Sequence, residues 1–489
     1  MGFMIREIET ECMFSSALTV DALSRALPPE AITRVIAQEG VGEARQRRLT
    51  MALTVWLVIA LHLYPTVSIG GVLRKLARGL RFIWPDPSIS LPTDSAIAYR
   101  RSQLGARPIV ALFKQVCQPS ATAQTRGAFL FGLRAMALDG TTEDVPDTPA
   151  NAAAFGRHAS TRGASAFPQL QGVYLIECGT HVVTDAGFWP CHTSERIGGF
   201  RLLRSVQPGM LLMWDRGFHD FDMVVAVRQR KAHVLSRLPA HVKPVPLRSL
   251  PDGSLLAYLL PSEDARRRRG ERILVRVITY TITDPALPGY GEVHRVITTL
   301  LNPRLAPAHA VACAYHERWE IEIVIDEIDT HQRLVGRTLR SLTPVGVIQE
   351  LYGVLLAHYA VRTLMHEAAL AADVDPDRLS FVLALEIVRD AVAEFQMVAP
   401  EQQRTLYERM LRDMAAKLLP PRRPRSNARV VKRKMSNFLL KRPEHQLSPK
   451  PQNSFQDAVV VQVPPVVELP PPQPGQARLE LRQREYVLI

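Results

Sequence analysis

The chain has 489 residues, 47% of them hydrophobic, and a mean hydropathy of -0.01, which describes globular material of about two to four domains rather than one core or a disordered chain. Sixty Lys and Arg against 47 Asp and Glu leave a net charge of +13 and a pI near 9.8, a balance that favours a polyanionic partner, nucleic acid above all. Cys12, Cys117, Cys178, Cys191 and Cys313 are odd in number and form no Cys-x-x-Cys, so neither a disulfide framework nor a zinc site is suggested and a reducing cytoplasm is expected.

Residues 1–125 read as a helical domain. Leu27-Pro-Pro-Glu30 is a helix start, with proline in the first turn where its missing N–H costs nothing. The apolar run Leu49 to Leu61 falls short of the ~20 residues of a membrane span and reads as a core helix. The opening Met-Gly-Phe-Met-Ile-Arg-Glu lacks the regions of a signal peptide, so no membrane association is expected. Thr93 to Gly105 supplies a capping residue, a short amphipathic helix and a terminating glycine. Arg100, Arg101 and Arg107 are expected on its exposed side, as a DNA-contacting face or an ordinary solvated one.

From 126 to 238 strands and helices alternate. Val173 to Cys178 and His181 to Ala186, joined by Gly179-Thr180, read as a hairpin; Ser194 to Val206 as a helix; Met210 to Trp214 as a strand; Phe221 to Lys231 as a helix; and Ala232 to Leu238 as the next strand. That alternation predicts an α/β fold, a central mixed sheet covered by helices. Residues 239–309 carry proline-rich turns and strand-like runs at Arg272 to Tyr280 and Arg295 to Leu301, a β-rich insertion. The Arg266-Arg-Arg-Arg269 run within it reads as a solvated loop, with a phosphate contact as the alternative. Residues 310–340 return to the core, and 341–442 are helical, with nine Lys or Arg among 421–442. Beyond, 443–489 with its proline cluster at 470–472 reads as a flexible tail.

Three carboxylates stand out. Asp139 follows Arg-Ala-Met-Ala-Leu and Asp215 follows Met-Leu-Leu-Met-Trp, so each ends a buried strand at the sheet rim. Glu322 belongs to a third element. At about 100° per residue, Tyr315, Arg318, Glu322 and Asp329 share one helical face, beside an apolar stripe of Ile321, Val324, Ile325 and Ile328. A strand is the alternative, since Glu320-Ile-Glu-Ile323 alternates with period two. Carboxylates from three elements make a two-metal phosphoryl-transfer site, in which cations stabilise the attacking and leaving oxygens. Glu143, Asp144 and Asp147 are expected in local turn or cap roles, Asp326 as a solvated neighbour with an extra carboxylate at the metals as the alternative, and His192 and His219 as unneeded for a general base.

Together these residues resemble the insertion-element-four family of bacterial DDE transposases over about 20–440. Leu27-Pro-Pro-Glu-Ala-Ile32, Arg45-Gln-Arg-Arg48 and the Trp56 helix are similar to its N-terminal domain. Ala137-Leu-Asp-Gly-Thr141, Asp144-Val-Pro-Asp-Thr148 and Phe155-Gly156 are similar to the segment of its first aspartate, and Trp214-Asp-Arg-Gly-Phe218 to that of its second. Tyr315-x2-Arg318-x3-Glu322 is similar to its signature Tyr-x2-Arg-x3-Glu-x6-Lys. The resemblance implies a ribonuclease-H-like core with a β insertion and helical terminal domains. It implies Asp139, Asp215 and Glu322 as ligands of Mg2+, with Mn2+ as substitute, and Tyr315 and Arg318 as contacts to double-stranded transposon-end DNA. It further implies a homodimer or higher multimer acting on ends and target in a bacterial, nucleoid-associated setting. Asp329 stands where the family has lysine, which raises the alternative of a catalytically impaired relative acting as DNA-binding protein or repressor. No tryptophan lies between Arg216 and Arg318 to hold a flipped base during hairpin formation.

Overall fold

The structure, a computed structural model, describes residues 20–43, 48–78, 90–160, 163–287, 289–333, 338–420, 430–431, 439–440 and 454–463. Arg45, Arg47, the basic residues of 421–442 and the prolines at 470–472 lie outside them. The chain forms two compact units, residues 1–232 with 316–423, and residues 233–315 with 424–489.

In the first unit the strands are β1 (Leu133–Asp144), β2 (Gln169–Glu177), β3 (Val183–Pro190) and β4 (Met210–Trp214), in the order β3-β2-β1-β4. β1 is antiparallel to β2 and β2 to β3, whereas β1 and β4 are parallel. This is the strand order of a ribonuclease-H-like core. All five residues of β4 are buried, as an apolar strand of a parallel pair should be. The connection between β3 and β4 runs through the helix Glu195–Leu202, whose Ser194 cap accepts from the Ile197 N–H.

The N-terminal helices of this unit form where expected. Pro29–Gln38 starts on proline, Met51–Ala60 is buried throughout but for Ala52, and Asp94–Leu104 runs from the Thr93 cap to Gly105 at φ +65°. Met51–Ala60 and Asp94–Leu104 pack against Pro344–Ala372, a 29-residue helix capped by Thr343 and apolar on nearly every face, hence central, and Pro29–Gln38 packs on Met51–Ala60. Val145, Phe155, Leu170, Leu339, Val347 and Leu351 form one apolar cluster that seats this helix against the β1–β2 end of the sheet. Among the described residues no helix is long and apolar enough to cross a membrane.

The second unit is antiparallel. β5 (His233–Arg237), β6 (Val245–Ser249), β7 (Leu255–Leu259), β8 (Ile273–Ile282) and β9 (Val293–Thr298) follow the order β5-β9-β8-β7-β6. Arg276 of β8 is fully buried, its guanidinium donating to Asp252, Ser254 Oγ (2.7 Å) and the Leu300 carbonyl (3.2 Å). Two expectations change here. The arginine run is a helical turn, Asp264–Arg268, whose Arg266 and Arg267 pair with Glu271 and Asp264 at 2.7 and 3.2 Å. Within the expected tail, Phe455–Ala458 is a helical turn and β10 (Val459–Val461) pairs with β8, because Val-Val-Val satisfies the free edge at Tyr280 to Ile282.

Candidate active site

Parallel pairing aligns Leu138 of β1 with Trp214 of β4, so Asp139 and Asp215 are the next residues of two strands about 4.8 Å apart. β4 ends at Trp214, which opens the rim beside Asp139; β1 itself runs on to Asp144 because it keeps pairing with β2, so Asp139 lies within its strand and not at its end as expected. Each carboxylate is oriented by a backbone N–H: Gly140 donates to Asp139 Oδ1 at 2.8 Å and Gly217 to Asp215 Oδ1 at 2.7 Å.

Glu322 lies on a helical run that is not of one pitch. Ala308–Ala314 is α-helical, Tyr315–Trp319 is a 3-10 turn, Glu320–Asp326 is α-helical and Glu327–Gln332 is a π-turn. The helix reading holds over the strand alternative, and Ile321, Val324 and Ile328 are buried as the stripe predicts. The shared polar face does not hold, because a 3-10 turn advances about 120° per residue and a π-turn less than an α-helix. Tyr315 is buried (7% exposed) near the Tyr280 phenol instead of facing a ligand. Arg318 is buried too, and its guanidinium reaches Asp139 Oδ2 at 3.2 Å and Glu322 Oε1 at 3.5 Å. The run therefore delivers a cation between two of the three carboxylates.

Burial pushes the Asp139 carboxyl up to about 6; Arg318 and the Gly140 N–H oppose the rise, while Asp215 and Glu195 add to it. Glu195 is a fourth acid that the sequence reading missed. It is the first residue of its helix, its Oε1 accepts from Gln171 Nε2 at 3.3 Å, and burial and then Asp215 push it up as well. A Cβ at position 140 would fall 2.8 Å from Glu195 Oε1, so glycine there lets this side chain lie against β1. Its one signal in the sequence is the Ser194 cap, which fixes the helix start without saying where the next side chain lands.

Around this centre the same run is anchored by paired acids. Glu320 Oε2 accepts from the Gly179 N–H at 2.6 Å and lies 3.4 Å from His181 Nε2, itself 3.1 Å from Asp377. Glu327 is buried against Arg362 and His358, with Arg362 Nε donating at 2.9 Å. Asp329 pairs with Arg333 at 3.1 Å, and Arg333 also pairs with Glu143. Glu143 is thus a buried strand residue and no turn or cap acid, because β1 continues through Asp144. Asp326 is exposed as expected and accepts from Thr330 Oγ1 at 2.6 Å.

Arg100 and Arg101 also turn inward. Arg100 is 6% exposed and donates to the Leu49 carbonyl at 2.8 Å, Gln103 and Glu43; Arg101 donates to Gln349 at 2.8 Å and Ser341 at 3.0 Å. Helix ends and loops with unsatisfied acceptors draw these guanidinia in, and Tyr99 and Arg107 remain on the outside.

The family described as insertion element 4 transposase N-terminal matches residues 17–114, and the transposase DDE domain matches residues 130–360. The transposase InsG for insertion sequence element IS4 of Escherichia coli strain K12 is 28% identical over 427 residues, covering 84% of this chain and 91% of InsG. The putative transposase InsZ of the same strain is 27% identical over 221 residues, 44% of this chain and 69% of InsZ. A piggyBac transposase synaptic complex with hairpin DNA covers 88% of this chain and 91% of that one at 9% identity, and its TM-score of 0.41 is too low to align residues.

Proposed function

Because the chain belongs to the insertion element 4 family of DDE transposases, we propose that Asp139, Asp215 and Glu322 carry its polynucleotidyl transfer. The observation that supports this is the rim itself: Asp139 within β1 and Asp215 just past the end of β4, each following the aligned pair Leu138–Trp214, with Arg318 reaching both Asp139 and Glu322. The reaction is an in-line displacement at a phosphodiester of double-stranded DNA, first by water at the transposon end and then by the freed 3′-hydroxyl at the target.

The donor set fits a hard divalent cation. All candidate ligands are carboxylate oxygens, which suit Mg2+ with Mn2+ as substitute. Burial, with Asp215 and Glu195 adding to it, holds Asp139 at about 6 against Arg318 and the Gly140 N–H. Among the described residues the three acids are not gathered within 4.8 Å as two other groups are, since Arg318 stands between two of them. Bound cations would stabilise both the attacking and the leaving oxygen.

The chain's own groups orient and neutralise. Gly140 and Gly217 fix the two aspartates, and the Glu320–Gly179 bond fixes the run that presents Glu322. Arg318 balances Asp139 and Glu322, and in this reading it turns to a phosphate when DNA binds, with charge-assisted hydrogen bonds. Tyr315, Arg100 and Arg101 are left as packing residues. A net charge of +13 draws the duplex in, and the joining of two ends to one target calls for a dimer or higher multimer.

The test is Asp139→Ala, Asp215→Ala and Glu322→Ala, each assayed for Mg2+-dependent nicking of end DNA and for gel-shift affinity. Nicking should fall by at least about 10³-fold, the scale of losing several kcal/mol of charge stabilisation, with end affinity largely kept. Retained nicking in any one variant removes that residue from the site.

A further inference from the structure

We propose that His158, Cys191 and His192 form a transition-metal site of the Zn2+ class, separate in chemistry from the carboxylate centre. Their ligand atoms all lie within 4.8 Å of one another. Zinc bound at ~2.0–2.1 Å to nitrogen and ~2.3 Å to sulfur needs ligand separations of roughly 3.3–3.8 Å, so small side-chain rotations close the site. Two imidazoles and a thiolate are a borderline-soft set that prefers Zn2+, Co2+ or Cu to Mg2+. The spacing in the sequence conceals it: Cys191-His192 has no Cys-x-x-Cys partner, and His158 joins only through the fold.

The backbone brings these residues together and keeps room for an ion. The Cys191 N–H donates to the Phe155 carbonyl at 2.8 Å, which lays the end of β3 beside the segment leaving the helix Pro149–Phe155. The His158 and His192 rings meet edge to face at 6.0 Å. Gly156 has φ +78°, and a Cβ there would sit 3.2 Å from both Cys191 Sγ and His192 Nε2. Glycine is therefore required both by the left-handed turn and by the space around two of the ligand atoms. Cys191 is buried and forms the floor, while both histidines are exposed and form the rim. Three protein ligands with an open outer side leave a fourth position for water or an exchangeable ligand. Binding releases the thiol proton to solvent as the Sγ–metal bond forms.

The site would clamp the segment at Gly156 to the end of β3, just ahead of the Ser194 cap and Glu195. The experiment uses the full chain, stripped with chelator and held in excess Mg2+ to occupy the carboxylates, then titrated with Co2+. A single equivalent should produce the near-ultraviolet thiolate-to-cobalt band and the visible bands of tetrahedral Co2+. Cys191→Ser should abolish the near-ultraviolet band. His158→Ala and His192→Ala, at exposed positions that do not endanger folding, should weaken binding by at least about tenfold, since even outer-shell partners are worth 10–100-fold. Cys313→Ser is the control, because His309 lies 3.9 Å from that sulfur in the second unit. No band in the wild type, a band that survives in Cys191→Ser, full affinity in both histidine variants, or a band lost with Cys313→Ser would each overturn the assignment.

Discussion

Asp139 and Glu327 are both largely buried carboxylates of the first unit, and their surroundings push them in opposite directions. Burial pushes both up. At Glu327 the Arg362 guanidinium and then His358 outweigh burial and hold the carboxyl down at about 2. At Asp139 one shared guanidinium and one backbone N–H do not outweigh burial, with Asp215 and Glu195 adding to it, and the carboxyl stands at about 6. A buried acid with its counter-charge built in is a fastening. One left short of counter-charge is a place where a cation from outside lowers the energy. Arg318 marks the boundary, since it serves two acids where Glu327 has Arg362 and His358 to itself.

The sharpest way to break this contrast is Glu327→Gln. Removing one partner of a buried ion pair leaves the other uncompensated, so stability should fall by ~3–5 kcal/mol. The folded carboxyl is depressed, so its contribution is full above the ordinary value of 4.5 and fades as pH drops toward about 2. Urea unfolding at pH 7 and pH 3 should show a large wild-type loss across that window and a flatter profile in the variant. Equal stability of the two at pH 7 would mean that the pair fastens nothing.

Asp139→Asn should act the other way. A carboxyl raised to about 6 contributes stability fully below its ordinary 3.8 and loses it as pH rises through 6, so at pH 8 the ionised group works against the fold. In metal-free buffer at pH 8 the variant should be more stable by up to about 3 kcal/mol. Mg2+ should then raise the melting temperature of the wild type and leave that of Asp139→Asn unchanged. A variant that gains nothing without metal, or that still responds to Mg2+, would place the ion elsewhere.

Asp329 lies between the two cases and carries the smallest effect. Burial and Glu143 push its carboxyl up to about 7 against Arg333. Its lysine counterpart in the family pattern suggests a handicap at phosphate, yet here the carboxylate is engaged by Arg333 one turn on. Asp329→Lys should therefore give no gain in end cleavage, because the added ammonium would meet Glu143 and the buried Arg333 in place of a phosphate. A several-fold gain in a defined-end cleavage assay would show instead that this position faces DNA.

Much of the frame was legible without coordinates because it rests on local rules. The run Met210 to Trp214 has only apolar side chains and can end nowhere but in a core strand, which sets Asp215 at a rim. Thr93 and Gly105 bracket a helix because one satisfies free N–H groups and the other adopts the left-handed turn. What local rules cannot carry is the direction of a long side chain across a tertiary gap. Arg100 and Arg101 sit on a helix of mixed polarity, and only the acceptors at Leu49, Glu43 and Gln349 decide that they turn inward. Arg318 and Glu322 come one helical turn apart in sequence, whereas Arg318 meets Asp139 only because the sheet brings β1 to that helix. Glu195 reaches the same centre across a glycine on another strand, and Asp329 is tied down by Glu143 through Arg333. The sequence by itself determined the elements, their order and the place of Asp215 just past β4, since these depend on neighbours a few residues away, whereas Asp139 lies inside a strand that pairing with β2 carries on to Asp144. Which guanidinium Asp139 and Glu143 meet depends on partners 179 and 190 residues distant, and so the tertiary structure alone decided which acids are left for a cation.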